Sequence, residues 1–135
     1  MLRRSARRLY VGLAWVLAAG LLFQVFLAGL GIFNLGLASR GYWEFHRDFG
    51  SLLGLIPLIL LVLAPLARLP RALIGQTGLL FLLFLVVMIA AWIPPNIAGF
   101  HPVLGFLMFL LTWRLARRSG KPPQENTAEA DILAV

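Results

Sequence analysis

The chain has 135 residues, of which 61% are hydrophobic and only 13% are charged. A soluble domain of this size needs a charged shell around a smaller apolar core, so the composition excludes an ordinary soluble domain and indicates one membrane-embedded domain. The absence of cysteine excludes disulfides, thiolate metal sites and covalent attachment of a c-type haem.

Four apolar runs predict four transmembrane helices, at residues 9–33, 46–67, 72–93 and 101–118. Four arginines precede the first run, as in a signal peptide. However, the run is much longer than the apolar core of about 7–15 residues that a signal peptide has, so we expect a retained helix. Residues 34–45 form the first predicted loop, and the polar residues 119–135 are predicted to be a disordered cytoplasmic tail.

The formal net charge of +7 is distributed by topology rather than in a solvated basic patch. Arginine and lysine concentrate at the N-terminus, in the second loop and after the fourth helix, which argues against nucleic-acid binding. The positive-inside tendency then places both termini in the cytoplasm, in a plasma membrane. With short loops between neighbours, the fold class is all-α: an integral membrane four-helix up-down-up-down bundle in a lipid bilayer.

A repeated pattern surrounds the only two histidines of the chain. Phe45-His46 with Gly50 and Leu52 returns as Phe100-His101 with Gly105 and Leu107. Each copy opens an apolar helix. In an up-down bundle the second and fourth helices run parallel on opposite corners and start at the outer face, so we expect His46 and His101 to face each other there.

Two facing imidazoles can hold a b-type haem through axial ligation. Gly50 and Gly105 lie one turn deeper on the same faces and would leave room for the flat ring, whereas Arg47 at the outer edge could pair with a propionate. The simpler explanations are that glycines let helices approach closely, that Arg47 reaches the headgroups, and that the histidines are interfacial polar residues.

The haem hypothesis carries a geometric condition. Diagonal helices of a tightly packed bundle hold facing Cα atoms roughly 7–10 Å apart, whereas two metal–nitrogen bonds of about 2 Å require roughly 12–13 Å. The outer end must therefore be splayed, and Pro57 could bend the second helix there. If the two histidines instead touch, the cavity for a haem is absent. Glu44 and Asp48 would complete a mononuclear metal site at best, and Gln24 is expected to form an interhelical hydrogen bond.

Four stretches of the chain together resemble a family of small bacterial four-helix membrane proteins, the domain of unknown function 6220. They are residues 26–33 (Phe-Leu-Ala-Gly-Leu-Gly-Ile-Phe), His46-x3-Gly50, residues 67–71 (Ala-Arg-Leu-Pro-Arg) and His101-Pro-Val-Leu-Gly105. The resemblance covers about residues 5–118. It implies a four-helix fold in a bacterial inner membrane, and no established activity.

A more remote resemblance concerns the two histidine segments. His46-Arg47-x-x-Gly50 at the start of one helix and His101 at the start of the next but one are similar to one half of haem A synthase. In that enzyme a four-helix half-bundle holds haem between two such histidines, which implies axial ligation by His46 and His101. The chain has one bundle rather than two, and no counterpart of the enzyme's acidic motif on its first helix. Only haem binding is therefore expected.

These observations predict a small b-type cytochrome-like protein that binds one haem near the outer face and has an electron-transfer or redox role. It would be a carrier or accessory protein rather than a stand-alone enzyme, with a quinone or redox protein as its partner. The alternative is a haem-free membrane scaffold or accessory subunit. A transporter is disfavoured because no carboxylate lies deep in the predicted membrane.

Overall fold

The computed structural model describes residues 2–33, 37–90 and 99–120, and all regular structure within these ranges is helical. It consists of α1 (Leu2–Phe33), α2 (Leu37–Leu53), α3 (Leu55–Leu66), α4 (Arg71–Ala90) and α5 (His101–Gly120). This confirms the all-α class.

The helices form a four-sided bundle in which α2 and α3 follow each other along one side. One side of α1 packs against α5 and the other against α2 and α3, while α4 packs against α3 and α5. The diagonal pairs are therefore α1 with α4, and α2–α3 with α5. Contacts between Arg7 and Ser119 at one end of the bundle, and between Gln24 and His46 towards the other, give adjacent helices opposite directions. The arrangement agrees with the up-down order expected from short connections.

The second predicted helix differs most from the structure. Helix α2 begins at Leu37, so the predicted loop at residues 34–45 is helical from residue 37 onward. Packing against α1 accounts for this early start, because the ring of Trp43 lies directly against the backbone at Gly31. The helix is then interrupted at Gly54, where Pro57 has no N–H to donate to the carbonyl of Leu53. The helix predicted at residues 46–67 is thus divided at Gly54, but the backbone of Gly54 keeps α-helical angles, and Arg40–Leu66 remains one apolar helical segment.

The other helix boundaries differ by smaller amounts. Helix α1 starts at Leu2 rather than residue 9, because its arginines are good helix formers and continue the helix beyond the apolar run. Helix α4 ends at Ala90, and residues 91–93 of the predicted third helix lie outside the described residues. Helix α5 continues to Gly120, so Ser119 and Gly120 of the predicted tail are helical, while residues 121–135 lie outside the description.

The connection between α3 and α4 is a tight C-terminal cap. The N–H of Leu69 donates to the carbonyl of Ala64 and that of Arg68 donates to Pro65, which is the hydrogen-bond pattern of a Schellman motif. Arg68 occupies the position that glycine usually takes, with a left-handed φ of 50°. The cap turns the chain directly into α4.

Apolar side chains fill the interior and also cover the exterior of the bundle. The largest fully buried side chains include Tyr10, Leu17, Leu60, Leu80 and Leu115. Many large hydrophobic residues point outward, including Leu22, Phe26, Leu58, Leu79, Leu82 and Phe106. A continuous apolar exterior is costly in water and suits a lipid bilayer environment.

Among the described residues, three helical segments are long and apolar enough to cross a membrane: Leu2–Phe33, Arg40–Leu66 and Arg71–Ala90. The second segment combines most of α2 with α3. Helix α5 is not among them, and it carries Arg114, Arg117 and Arg118 within its last seven residues.

Candidate functional site

The structure brings the two histidines together across the diagonal of the bundle. The imidazole centroids of His46 on α2 and His101 on α5 are 6.3 Å apart, with an angle of 62° between the ring planes. Both side chains are half-buried, and each lies near the N-terminal end of an apolar segment. The pair is therefore at one depth, as the parallel diagonal helices require.

Each ring contacts a backbone carbonyl oxygen on a neighbouring helix that comes earlier in the chain. The Nδ1 atom of His46 is 3.2 Å from the carbonyl oxygen of Gln24 on α1, and the Nδ1 atom of His101 is 3.2 Å from that of Val87 on α4. A carbonyl oxygen can only accept, so both hydrogen bonds require the hydrogen on Nδ1. The Nε2 atom of each neutral ring then keeps its lone pair, the tautomer that metal-ligating histidines usually have.

The distance between the two rings can be compared with the distance expected for two imidazoles that bind one metal ion. No hydrogen bond joins His46 to His101 within the described chain. If both rings bound one iron, two metal–nitrogen bonds of about 2 Å and a distance of about 1.1 Å from each nitrogen to its ring centre would put the two centroids roughly 6 Å apart. The observed 6.3 Å is close to that value, and it also lies in the range of about 4.5–7 Å at which two rings pack edge to face in direct contact.

Gln24 links α1 to the histidine on α2. Its side-chain Nε2 donates to the backbone carbonyl of His46 at 2.9 Å, while its own carbonyl accepts from the His46 ring. The expected interhelical hydrogen bond of Gln24 is therefore present. The amide lies against Gly50, where a Cβ atom would collide with Nε2. The space beside Gly50 is filled by Gln24, and the Oε1 atom of that amide is buried without a hydrogen-bond partner in the described residues.

The equivalent glycine on the other helix has different surroundings. A Cβ atom at Gly105 would meet no heavy atom within 4 Å, so open space adjoins α5 one turn beyond His101. At Gly54, by contrast, the ring of Phe84 occupies the position a Cβ would take. Of the two glycines expected to leave room for a ring, Gly50 has its space filled by Gln24, whereas no atom lies within 4 Å of a Cβ at Gly105.

Arg47 lies on the outside of α2. Its Nε atom is 3.8 Å from Oδ1 of Asp48, with the two side chains 61% and 76% exposed. An ion pair this exposed contributes little to stability. Arg47 is therefore next to His46 in sequence but extends along the surface of the bundle, and Arg40 is likewise exposed.

No third ligand accompanies the histidines in the part of the chain that the structure describes. No group of three or more histidine, aspartate or glutamate side chains comes together there in a way that would hold a metal ion. Two imidazoles leave a bare transition metal short of ligands, since zinc sites use at least three protein ligands. A porphyrin supplies four donors of its own and needs only two from the protein.

Sequence reasoning missed two features near the ends of the bundle. Trp43 lies edge-on to His46 with centroids 5.7 Å apart, which a loop prediction for residue 43 could not indicate. At the other end, the hydroxyls of Tyr10 and Thr77 form a buried hydrogen bond of 2.7 Å, although both residues look interfacial in the sequence. Only the rotation of α1 and α4 turns them inward. On α5, the side chains of Met108 and Thr112 are buried in the core.

The fold and the histidine pair define a class of small helical bundle with an apolar exterior and two imidazoles meeting across its diagonal. The chain belongs to a family of unknown function, DUF6220, whose sequence pattern matches residues 24–93. This confirms the family expected from the sequence. No curated protein and no solved structure matches the chain, so the resemblance to haem A synthase stays a prediction.

Proposed function

We propose that this protein is a small b-type cytochrome-like membrane protein that binds one haem, with His46 and His101 as its two axial ligands. The observation that carries the proposal is the pairing of the rings. Their centroids are 6.3 Å apart, and both Nδ1 atoms contact carbonyl oxygens, so the Nε2 lone pair of each ring is available to an iron.

Backbone carbonyls of the chain orient these two histidines. The carbonyls of Gln24 and Val87 fix the tautomer and orientation of the two rings and raise the basicity of Nε2. Gly105 leaves open space beside α5 for part of a flat ring. A bound haem would supply one-electron redox chemistry, and the half-buried setting of the histidines would shield it partly from water.

Arg47 has a conditional role in this proposal. It would exchange its exposed contact with Asp48 for a haem propionate at the end of the bundle, because arginine pairs well with carboxylates. On the side of α2, Gln24 occupies the space next to Gly50, so its amide would have to swing away or bound the ring on that side.

The proposal includes four membrane crossings, the fourth being α5, in a bacterial inner membrane. Arginine flanks α1, the α3–α4 turn and the end of α5, which favours both termini in the cytoplasm and the histidine pair near the outer face. One haem near one surface cannot carry electrons across the bilayer by itself. A quinone or a redox protein would therefore be the electron-transfer partner.

The test is the visible spectrum of the full chain, purified in detergent after expression with added haem. We expect a Soret band that shifts on dithionite reduction, one haem per chain and the low-spin spectrum of bis-histidine ligation. His46→Ala and His101→Ala should each convert this to a high-spin spectrum, and the double variant should bind no haem.

Leu52→Ala and Phe106→Ala are matched controls. They lie on the same two helices, and their side chains are 62% and 59% exposed, so they should keep the low-spin spectrum. A colourless wild-type protein, or a spectrum unchanged in both histidine variants, would rule the proposal out.

The second candidate is a haem-free scaffold or accessory subunit in which the histidines join helices. It is favoured by the packing at Gly50, because the Gln24 amide already fills that space and joins α1 to α2. On this alternative the protein is colourless and each histidine variant unfolds at lower denaturant, since each loses a hydrogen bond to a backbone carbonyl.

A further inference from the structure

The far end of the bundle carries a basic groove, which lies where α1 begins and α5 ends. It has a volume of about 570 Å³. It is lined by Arg4, Arg7, Arg8, Val11 and Gly12 of α1 and by Ser119 and Gly120 of α5. The spacing of the α1 residues, three or four apart, puts them on one face of that helix. The arginines thus line the part of the groove nearest the start of α1. Val11 and Gly12 line the part nearest the apolar section of that helix.

Among the described residues, no carboxylate side chain lies near this groove. Within residues 2–33, 37–90 and 99–120 the only carboxylate side chains are Glu44 and Asp48, both on α2 close to the histidine pair. The side chains of Arg4 and Arg8 are exposed and have no carboxylate partner among the described residues. The Nε atom of Arg7 donates to the carbonyl of Ser119 at 2.8 Å, which joins the two walls of the groove.

The chemistry of the lining selects an anion with a hydrocarbon part. Guanidinium groups recognise phosphate through paired hydrogen bonds, and the N-terminus of α1 adds the positive end of its dipole. The C-terminus of α5 is the negative end of that helix's dipole, so it weakly disfavours an anion. Arg7 reduces this effect because it donates a hydrogen bond to the carbonyl of Ser119 there. Beyond Gly12, Trp15 and Val16 of α1 and Trp113 of α5 present exposed apolar surface.

We propose that this groove binds the phosphate headgroup of an anionic phospholipid, with Arg4 and Arg8 on the phosphate and an acyl chain along Val11 and Gly12. The open space at Gly12, where a Cβ atom would meet nothing within 4 Å, admits the first part of that chain. The site is at the opposite end of the bundle from the histidines, so it is independent of haem binding.

The experiment follows the thermal unfolding of the full chain in neutral detergent. Dioleoylphosphatidylglycerol should raise the unfolding midpoint in a concentration-dependent manner, because a ligand of the folded state stabilises it. Dioleoylphosphatidylcholine and inorganic phosphate at the same concentrations should not. An equal shift with inorganic phosphate would show a free-anion site and overturn the lipid proposal.

Two pairs of substitutions remove the same charge from the same end of the bundle. Arg4→Gln with Arg8→Gln should require about tenfold more phosphatidylglycerol for half of the shift, since it removes the paired donors. Arg68→Gln with Arg71→Gln, outside the groove, should behave like the wild type. Equal losses in the two pairs would mean general surface attraction and would refute a specific site.

Gly12→Leu tests the hydrocarbon part with every arginine in place. It fills the open space beside Val11 without a predicted clash, so the protein should fold while the response to phosphatidylglycerol weakens. An undiminished lipid response in this folded variant would contradict the placement of the acyl chain.

Discussion

Gln24 and His46 are joined by two hydrogen bonds that run in opposite directions between α1 and α2. The Gln24 amide donates to the His46 carbonyl at 2.9 Å, and the His46 ring donates to the Gln24 carbonyl at 3.2 Å. The first bond positions the backbone of α2 and the second orients the imidazole. Gln24 thus fixes both the position of His46 along the bundle axis and the orientation of its ring, which faces His101.

Replacing Gln24 by leucine should lower the free energy of unfolding by about 1 kcal/mol, because it removes the side-chain bond but leaves the backbone carbonyl for the ring. An SDS titration in mixed micelles, followed by circular dichroism, measures the change. Gln76→Leu is the matched control, since the Oε1 atom of Gln76 is buried without a hydrogen-bond partner in the described residues. Gln76→Leu should leave the free energy of unfolding unchanged or raise it. Equal decreases in the two variants would contradict a stabilising hydrogen bond from the Gln24 side chain.

The environments of Gly54 and Gly105 predict opposite responses to alanine. Gly54→Ala forces the ring of Phe84 to move and should cost about 1–3 kcal/mol, the usual penalty of overpacking. Gly105→Ala meets open space and should be neutral or stabilise by up to about 1 kcal/mol through helix propensity. The same titration compares the two.

Phe84→Leu provides the internal check on Gly54. A smaller side chain at residue 84 should recover part of the loss in the double variant, because the two positions share one space. Additive effects of the two substitutions would show that the clash is not the cause.

The buried hydroxyl pair predicts an asymmetry between its partners. The Thr77 hydroxyl donates to the carbonyl of Leu73 at 2.8 Å, so the 2.7 Å bond to Tyr10 must be donated by the tyrosine. Tyr10→Phe should cost about 1 kcal/mol, whereas Thr77→Val removes the acceptor of a buried hydroxyl and should cost about 1–3 kcal/mol. Unfolding of both variants and of Tyr42→Phe, which should resemble the wild type, tests the order. Equal costs at positions 10 and 77 would point to a different donor.

Arg68 offers a stabilising substitution. Its φ of 50° places it in the left-handed region at the C-terminal cap of α3, where a side chain costs roughly 1 kcal/mol relative to glycine. Arg68→Gly should therefore raise the free energy of unfolding, although the gain is reduced by the greater freedom of glycine in the unfolded chain. Arg71→Gly, at the first residue of α4, has no such strain and should be destabilising. A loss of stability in Arg68→Gly would show that the arginine has a role beyond the cap.

The helices and their order were accessible from the sequence because apolar length and short connections leave few alternatives. The start of α2 was not, since residues 37–45 mix glycine, charge and aromatic side chains without a clear apolar run. They become helical by packing on α1, with Trp43 against Gly31. The proline at 57 indicated a weak point, but only the structure located the interruption at Gly54.

By itself the sequence determined that this chain is a bundle of apolar helices and that its two histidines lie on helices at opposite corners. Composition and chain order are sufficient for both conclusions, because they depend on lengths and connections alone. The tertiary structure decided what depends on the rotation and height of each helix: the carbonyls that hold the two rings, the 6.3 Å between them, and the filled space at Gly50 beside the open space at Gly105. These features change with shifts of an ångström or two, and no local sequence pattern encodes such shifts.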